Sequence, residues 1–262
     1  MDAQVAVPDA GPWSSPGHGT RSAVGVVVVH GFTANPRGTR SLGERLASAG
    51  FAVDVPLLPG HGTSVRDLAR TRYSDWRARV ERSVADLAAD RDRIVVVGHS
   101  IGGTIALDLA ATSQVPLAAA VTINAMVLDR AGLLARIAPV LQHVLPYVPR
   151  GAAGMPTDDF MRPGVQEGAY AWVSARAAQS LLMQLPRVRR GLAAVTCPVL
   201  VVTSPQDRTV DPANGPAIVA ALAPDRVETL VCARSRHVPQ LDHDEELVGE
   251  RVVAFVAAAT AS

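Results

Sequence analysis

The stretch RIVVVGHSIGG, residues 93–103, decides the fold. Residues 94–97 are apolar and β-branched throughout, the composition of a strand buried on both faces. Residues 101–111 are helix-forming and contain no proline. Between them stands Gly98-His99-Ser100-Ile101-Gly102, a G-x-S-x-G pentad at a strand-to-helix turn. The pentad alone is a weak signal; in this context it reads as a nucleophile elbow. The turn is tight enough that its flanks must be glycine, and it lifts the Ser100 hydroxyl clear of the sheet. The N-terminus of the following helix then brings the Ile101 N–H to face a developing oxyanion.

Outward from this segment, short valine-rich runs alternate with longer Ala/Leu/Arg segments of helical period. That rhythm indicates an α/β fold with a mainly parallel central sheet flanked by helices. Strands are expected near 24–30, 51–55, 93–98, 117–123, 198–203 and 226–231. Helices are expected near 38–49, 74–90, 101–112, 212–222 and 244–258. The last buries a stripe formed by Leu247, Val248, Val252, Val253 and Val256.

Between Asn124 and Cys197 the rhythm stops. This stretch shows no convincing strand and carries prolines at 139, 146, 149, 156, 163 and 186. So long an interruption in a compact domain reads as a functional insertion. The expected organisation is an N-terminal extension over 1–22, a core made of 23–124 and 197–262, and a helical cap over 125–196.

Composition narrows the chemistry. Of 262 residues, 48% are hydrophobic and 19% charged, which supports a substantial core, and a net charge of +1 gives no reason to expect nucleic acid. All 25 basic residues are arginine, which excludes a lysine-dependent phosphate loop and a Schiff-base lysine. Cys197 and Cys232 are too few for a cysteine zinc site, and they fall at opposite ends of neighbouring strands, so they read as buried thiols. No cofactor or metal is expected. The first 22 residues lack a basic and apolar leader pattern and no apolar run is long enough for a transmembrane segment, so the expected location is cytoplasmic.

A serine hydroxyl needs a base and an orienting carboxylate. In folds with this elbow both follow the serine in the chain, on loops beyond strand ends. Asp207 lies in the turn after strand 198–203 and is the best acid; Asp211 reads as a helix cap and Asp225 lies at the wrong sheet edge. His237 follows strand 226–231 at the correct edge. His243 sits where the final helix begins, with Asp242 as that helix's cap. The second oxyanion donor falls to the Phe32 N–H, because Gly31 directly after a buried strand lets the next residue turn inward. His30 is expected to hold that loop by hydrogen bonds.

Taken together, VVVVHGFTANP at 26–36, LPGHGT at 58–63, DW at 75–76, GHSIGG at 98–103, INA at 123–125, EGAY at 167–170, CPVLVVTSPQD at 197–207 and RHVPQLD at 236–242 carry a resemblance. Over nearly its whole length the chain is similar to the bacterial monoacylglycerol lipase/carboxylesterase family of α/β-hydrolases. The resemblance implies Ser100, Asp207 and His237 as a triad, Phe32 and Ile101 as backbone donors, and a cap over the site. It implies hydrolysis of carboxylic esters with short-to-medium or long acyl chains, and monoacylglycerols among them, through an acyl-enzyme. Glu167 falls where a glycerol hydroxyl could be held, or is a solvated charge. Asn124 and Met126 line the pocket or cap a strand end, and the acyl chain would lie against Leu133, Leu134 and Ile137. The segment from Gly132 to Pro149 is longer than the family pattern. A carboxylesterase without glycerolipid preference and a noncatalytic ligand-binding homologue share the same residues. Transient contact of the cap with a lipid surface is a further expectation. Acyl length and oligomeric state are left open.

Overall fold

The computed structural model describes residues 9–128, 145–156 and 159–261. A seven-stranded sheet runs in the order β1-β3-β2-β4-β5-β8-β9, from β1 (Trp13–Ser15), β2 (Val24–Val29), β3 (Ala52–Val55), β4 (Arg93–His99) and β5 (Leu117–Ile123) to β8 (Val199–Thr203) and β9 (Val227–Val231). All its pairings are parallel except β1 against β3. Residues 13–15, expected to lie in an extension outside the core, instead form this antiparallel edge. The six strands expected from the sequence are all present, with ends shifted by a residue or so.

β2 shows why both faces are covered. Val26 and Val28 turn to one side, where they meet Leu42 and Leu46 of α1 (Arg37–Ser48) and Val248, Val252 and Phe255 of α8 (Glu245–Ala259). Val27 and Val29 turn to the other, toward α3 (Tyr73–Ala88) and α4 (Ile101–Thr112) through Trp76, Val80, Ile101 and Ile105. A continuous valine run is what a strand buried on both faces requires. On α8, Leu247 is exposed rather than part of the buried stripe, and Phe255 fills that role. The remaining core helix is α7 (Asn214–Ala221). Asp211, expected as its cap, stands in the turn before it, where Oδ1 accepts the Ala213 N–H at 2.8 Å; the capping position itself is Ala213, without a side-chain cap.

The insertion between β5 and β8 does contain strands. Tyr147–Pro149 (β6) pairs antiparallel with Trp172–Ser174 (β7) in a two-stranded ribbon. Three-residue strands give too short a period to stand out in the sequence. Two helices follow, α5 (Ala175–Leu182) and α6 (Leu185–Gly191), and α6 packs on α4 through Leu185 and Val188. A short helix, α2 (Val65–Leu68), precedes α3. Leu133, Leu134 and Ile137 lie outside the described residues. Cys197 and Cys232 are both buried and free, and burial pushes the Cys232 thiol up to about 12.

Candidate active site

The C-terminal ends of β2, β4, β5, β8 and β9 lie side by side, and the loops leaving them converge. Ser100 occupies the capping position of α4 with φ 54° and ψ −118°, a backbone conformation few L-residues adopt. Its N–H donates to Ile123 O at 2.8 Å, so the strained turn is tied to the neighbouring strand. A Cβ at Gly98 would come within 2.1 Å of the Gly102 backbone, and one at Gly102 within 2.3 Å of Val29 O. No side chain fits at either place, which is the physical content of the pentad.

Ile101 is the first residue of α4, so its N–H has no acceptor within the helix. The loop after β2 passes over the elbow. A Cβ on Gly31 would lie 3.1 Å from His99 Nδ1 and 3.4 Å from Ser100 Cβ, so Gly31, the residue before Phe32, lies against the elbow. The Phe32 ring is buried against Trp76 and His61, at centroid distances of 5.4 and 6.1 Å. His30 holds the loop as expected: Nε2 accepts the Leu58 N–H at 3.2 Å and Nδ1 lies 2.9 Å from Gly31 O. Burial pulls its pKa down to about 4, so it carries no charge at neutral pH.

Asp207 and His237 meet across the ends of β8 and β9. His237 Nδ1–H donates to Asp207 Oδ2 at 2.8 Å, with both side chains buried. The other carboxylate oxygen accepts the N–H groups of Thr209 and Val210, each at 2.8 Å. Burial works against a charged His237, but the Asp207 carboxylate and its hydrogen bond outweigh that, with further help from Glu167 and opposition from Arg150. The net effect lifts His237 above the ordinary 6.5. With Nδ1 committed to Asp207, neutral His237 presents Nε2 as the acceptor.

The backbone carbonyl of His237 is gripped by two donors. His99 Nε2–H and Asn124 Nδ2 each donate to it at 2.9 Å. Burial, followed by the nearby His237, holds the His99 pKa well below 6.5, so its ring is neutral with the proton on Nε2. Asn124, just past the end of β5, straps the loops after β5, β8 and β9 together: at φ 47° its Oδ1 accepts the Ser204 N–H at 2.8 Å while Nδ2 also reaches Ser204 Oγ and Arg236 O. Met126, half-buried, joins its backbone to Thr104 of α4 through bonds of 2.7 and 3.3 Å.

Glu167 is not a solvated charge. It is 6% exposed, lies outside any helix, and pairs through Oε1 with Arg150 Nη2 at 3.2 Å, while Oε2 has no hydrogen-bond partner among the described residues. Arg150, 3% exposed, also donates to Thr33 Oγ1 at 3.0 Å and Pro156 O at 3.1 Å. The Tyr170 N–H donates to Thr33 O at 2.9 Å and Asn35 Nδ2 to Gly168 O at 2.9 Å, so the insertion is fastened to the loop that carries Phe32. Arg150 gave no sequence signal, since it falls among prolines and glycines with no motif around it. Asp242 is not the cap of α8; Asp244 stands at that position. Asp242 accepts backbone N–H groups from Met161, Arg162, Arg236 and His243 instead. Among the described residues no group of three or more His, Cys, Asp or Glu side chains could hold a metal ion, and no helix is long and apolar enough to cross a membrane.

An elbow serine, a buried Asp–His pair and a glycine-led loop at one sheet edge define the class of an α/β-hydrolase. The chain belongs to the alpha/beta hydrolase family, whose model matches residues 26–250. It is 32% identical over 249 residues to the thermostable monoacylglycerol lipase of Bacillus sp. (strain H-257), covering 93% of this chain and 94% of that protein. The carboxylesterase of Bacillus subtilis (strain 168) is 25% identical over 236 residues, covering 88% of this chain and 91% of the relative. A solved structure from work on LipS and LipT, two metagenome-derived lipolytic enzymes, superposes with a TM-score of 0.88 at 31% identity, over 97% of this chain and 100% of that one. By this homology the chain is a hydrolase of the lipase/esterase type.

Proposed function

We propose that the protein hydrolyses carboxylic esters through an acyl-enzyme on Ser100 and that monoacylglycerols are its preferred class of substrate. The observation that carries the reading is the buried 2.8 Å bond from His237 Nδ1 to Asp207 Oδ2 at the sheet edge where Ser100 stands on its strained turn. His237 Nε2 takes the Ser100 proton as Oγ adds to the ester carbonyl, and Asp207 stabilises the imidazolium. The Ile101 and Phe32 N–H groups hold the oxyanion of the tetrahedral intermediate. Its collapse expels the alcohol, which takes the proton from His237, and water then cleaves the acyl-enzyme by the same steps.

The preference for a glycerol ester is supported by Glu167. A buried carboxylate oxygen without a donor is costly, and a ligand hydroxyl satisfies it. The relationship to a monoacylglycerol lipase points the same way. The insertion over 125–196 serves as a cap, and exposed Leu145, Trp172 and Met183 give it the apolar surface for transient contact with lipid.

Glu167→Gln is the test. Gln keeps an oxygen for Arg150 and puts an amide N–H₂ where the open acceptor was. The expected result is a loss of about tenfold or more in kcat/KM for a medium-chain monoacylglycerol, the worth of one hydrogen bond to a charged group. Turnover of the p-nitrophenyl ester of the same acid should stay within about twofold, the size of ordinary surface effects. Equal changes for both substrates would remove the glycerol assignment.

A further inference from the structure

Residues 159–162 of the insertion touch both loops that bear Asp207 and His237. Asp159, 3% exposed, accepts the Arg208 backbone N–H at 2.9 Å and the Thr209 hydroxyl at 3.0 Å on Oδ2, and Arg208 Nε at 2.9 Å on Oδ1. Thr209 is in turn one of the two residues whose N–H groups seat Asp207 Oδ1. Two and three residues beyond Asp159, the N–H groups of Met161 and Arg162 donate to Asp242, each at 2.8 Å. Asp242, 1% exposed, also accepts the N–H of Arg236, the neighbour of His237, at 3.0 Å. The Arg236 guanidinium closes the circuit on Phe160 O at 3.0 Å.

The separation of Asp207 from His237 would otherwise depend mainly on two loops leaving different strands. A buried carboxylate that accepts several charge-assisted bonds is a stiff joint. Here two such joints stand at the ends of a four-residue span, one on each loop. We propose that Asp159 and Asp242, acting through residues 159–162, are positioning residues that set the spacing of the Asp207 and His237 loops. The insertion is then part of the catalytic apparatus and not only a wall of the pocket. This inference rests on Asp207 and His237 being the acid and base proposed above.

The test compares wild type with Asp159→Asn, Asp242→Asn and Thr209→Val on p-nitrophenyl butyrate, recording kcat, KM, the pH profile of kcat/KM and the melting temperature. For the two Asn variants kcat should fall about ten- to a hundredfold with KM within about twofold, the cost of misplacing a catalytic pair. The charged or titratable groups acting on His237 are Asp207, Glu167, Arg150 and His99, and none is substituted. Loosening Asp207 leaves burial to dominate, so the acid limb should move to lower pH. Thr209→Val removes one donor of Asp159 and should move kcat and the limb the same way by a smaller amount; it serves where an Asn variant does not fold. A tie that only anchors the insertion would lower the melting temperature and leave kcat and the acid limb as in wild type, and that result overturns the proposal. Ser100→Ala run alongside separates the two claims. If that variant still turns over, the reading of the site fails; if it is inactive while the others match wild type, only the present inference fails.

Discussion

Replacing Asn124 by alanine tests the strap that holds His237. The side chain accepts the Ser204 N–H at 2.8 Å and donates to the carbonyl of His237 at 2.9 Å, from a residue at φ 47°. Alanine leaves the buried Ser204 N–H without its acceptor, at about 1–3 kcal/mol. An alanine forced into the left-handed region costs about 1 kcal/mol more. The sum, about 3 kcal/mol, lowers the melting temperature by about 6–12 °C in a domain of this size. Asn124→Gly loses the same bonds without the backbone strain and should melt above the alanine variant by about 1 kcal/mol in stability. Among the described residues His237 O then keeps only His99 as donor, so kcat should fall about tenfold. Thermal unfolding by circular dichroism and initial rates on p-nitrophenyl butyrate supply both readings. An alanine variant that melts with wild type, or above the glycine variant, would refute the reasoning.

Asp108 joins three helices: buried on α4, it accepts the Tyr73 hydroxyl of α3 at 2.9 Å and two N–H groups of Arg187 on α6 at 2.6 and 2.9 Å, with Arg77 Nε at 3.2 Å. Asp108→Ala should lower urea stability by about 1–3 kcal/mol, because the buried Tyr73 hydroxyl loses its acceptor while Arg187, 45% exposed, reaches solvent and Arg77 keeps Glu81; a midpoint within error of wild type would contradict that. Acid should destabilise the fold through its buried histidines. His30, with its pKa at about 4, stays neutral in the native state while the unfolded chain binds a proton below 6.5. Stability therefore falls as pH drops from 6.5 toward 4, by about 3 kcal/mol from His30 alone. His61 and His99 act in the same direction, while His237, raised, acts oppositely and contributes below 6.5. Urea midpoints at pH 7 and pH 5 measure the balance: the three lowered histidines should outweigh His237, and a midpoint at pH 5 equal to or above that at pH 7 would contradict this net loss.

What could be read in the sequence was whatever depends on neighbours along the chain. The elbow is legible because glycines, strand and helix adjoin Ser100, and Asp207 and His237 because each lies in the loop directly after its strand. The ties that hold them depend on distant partners: Asp159 meets Arg208 49 positions away, and Asp242 meets Met161 at 81. Nothing at Asp242 separates a helix cap from an acceptor for the insertion, since both need a carboxylate just before α8. Asn124 carries a trace of its role, because asparagine tolerates the left-handed turn better than most residues. Glu167 was ambiguous for a related reason: its burial depends on Arg150, which no local pattern marks. β1 and the β6–β7 ribbon escape because three residues hold too little periodicity to distinguish a strand from a loop.

The central claim is that Ser100 is the nucleophile of an acyl transfer. The most direct measurement treats wild type and Ser100→Ala with a fluorophosphonate, locates the adduct by mass spectrometry and follows turnover of p-nitrophenyl butyrate. Wild type should carry one adduct, on Ser100, and lose its turnover, while Ser100→Ala should be unlabelled with kcat reduced about 10⁴-fold or more. An adduct on another residue, or turnover by Ser100→Ala close to that of wild type, would contradict the account.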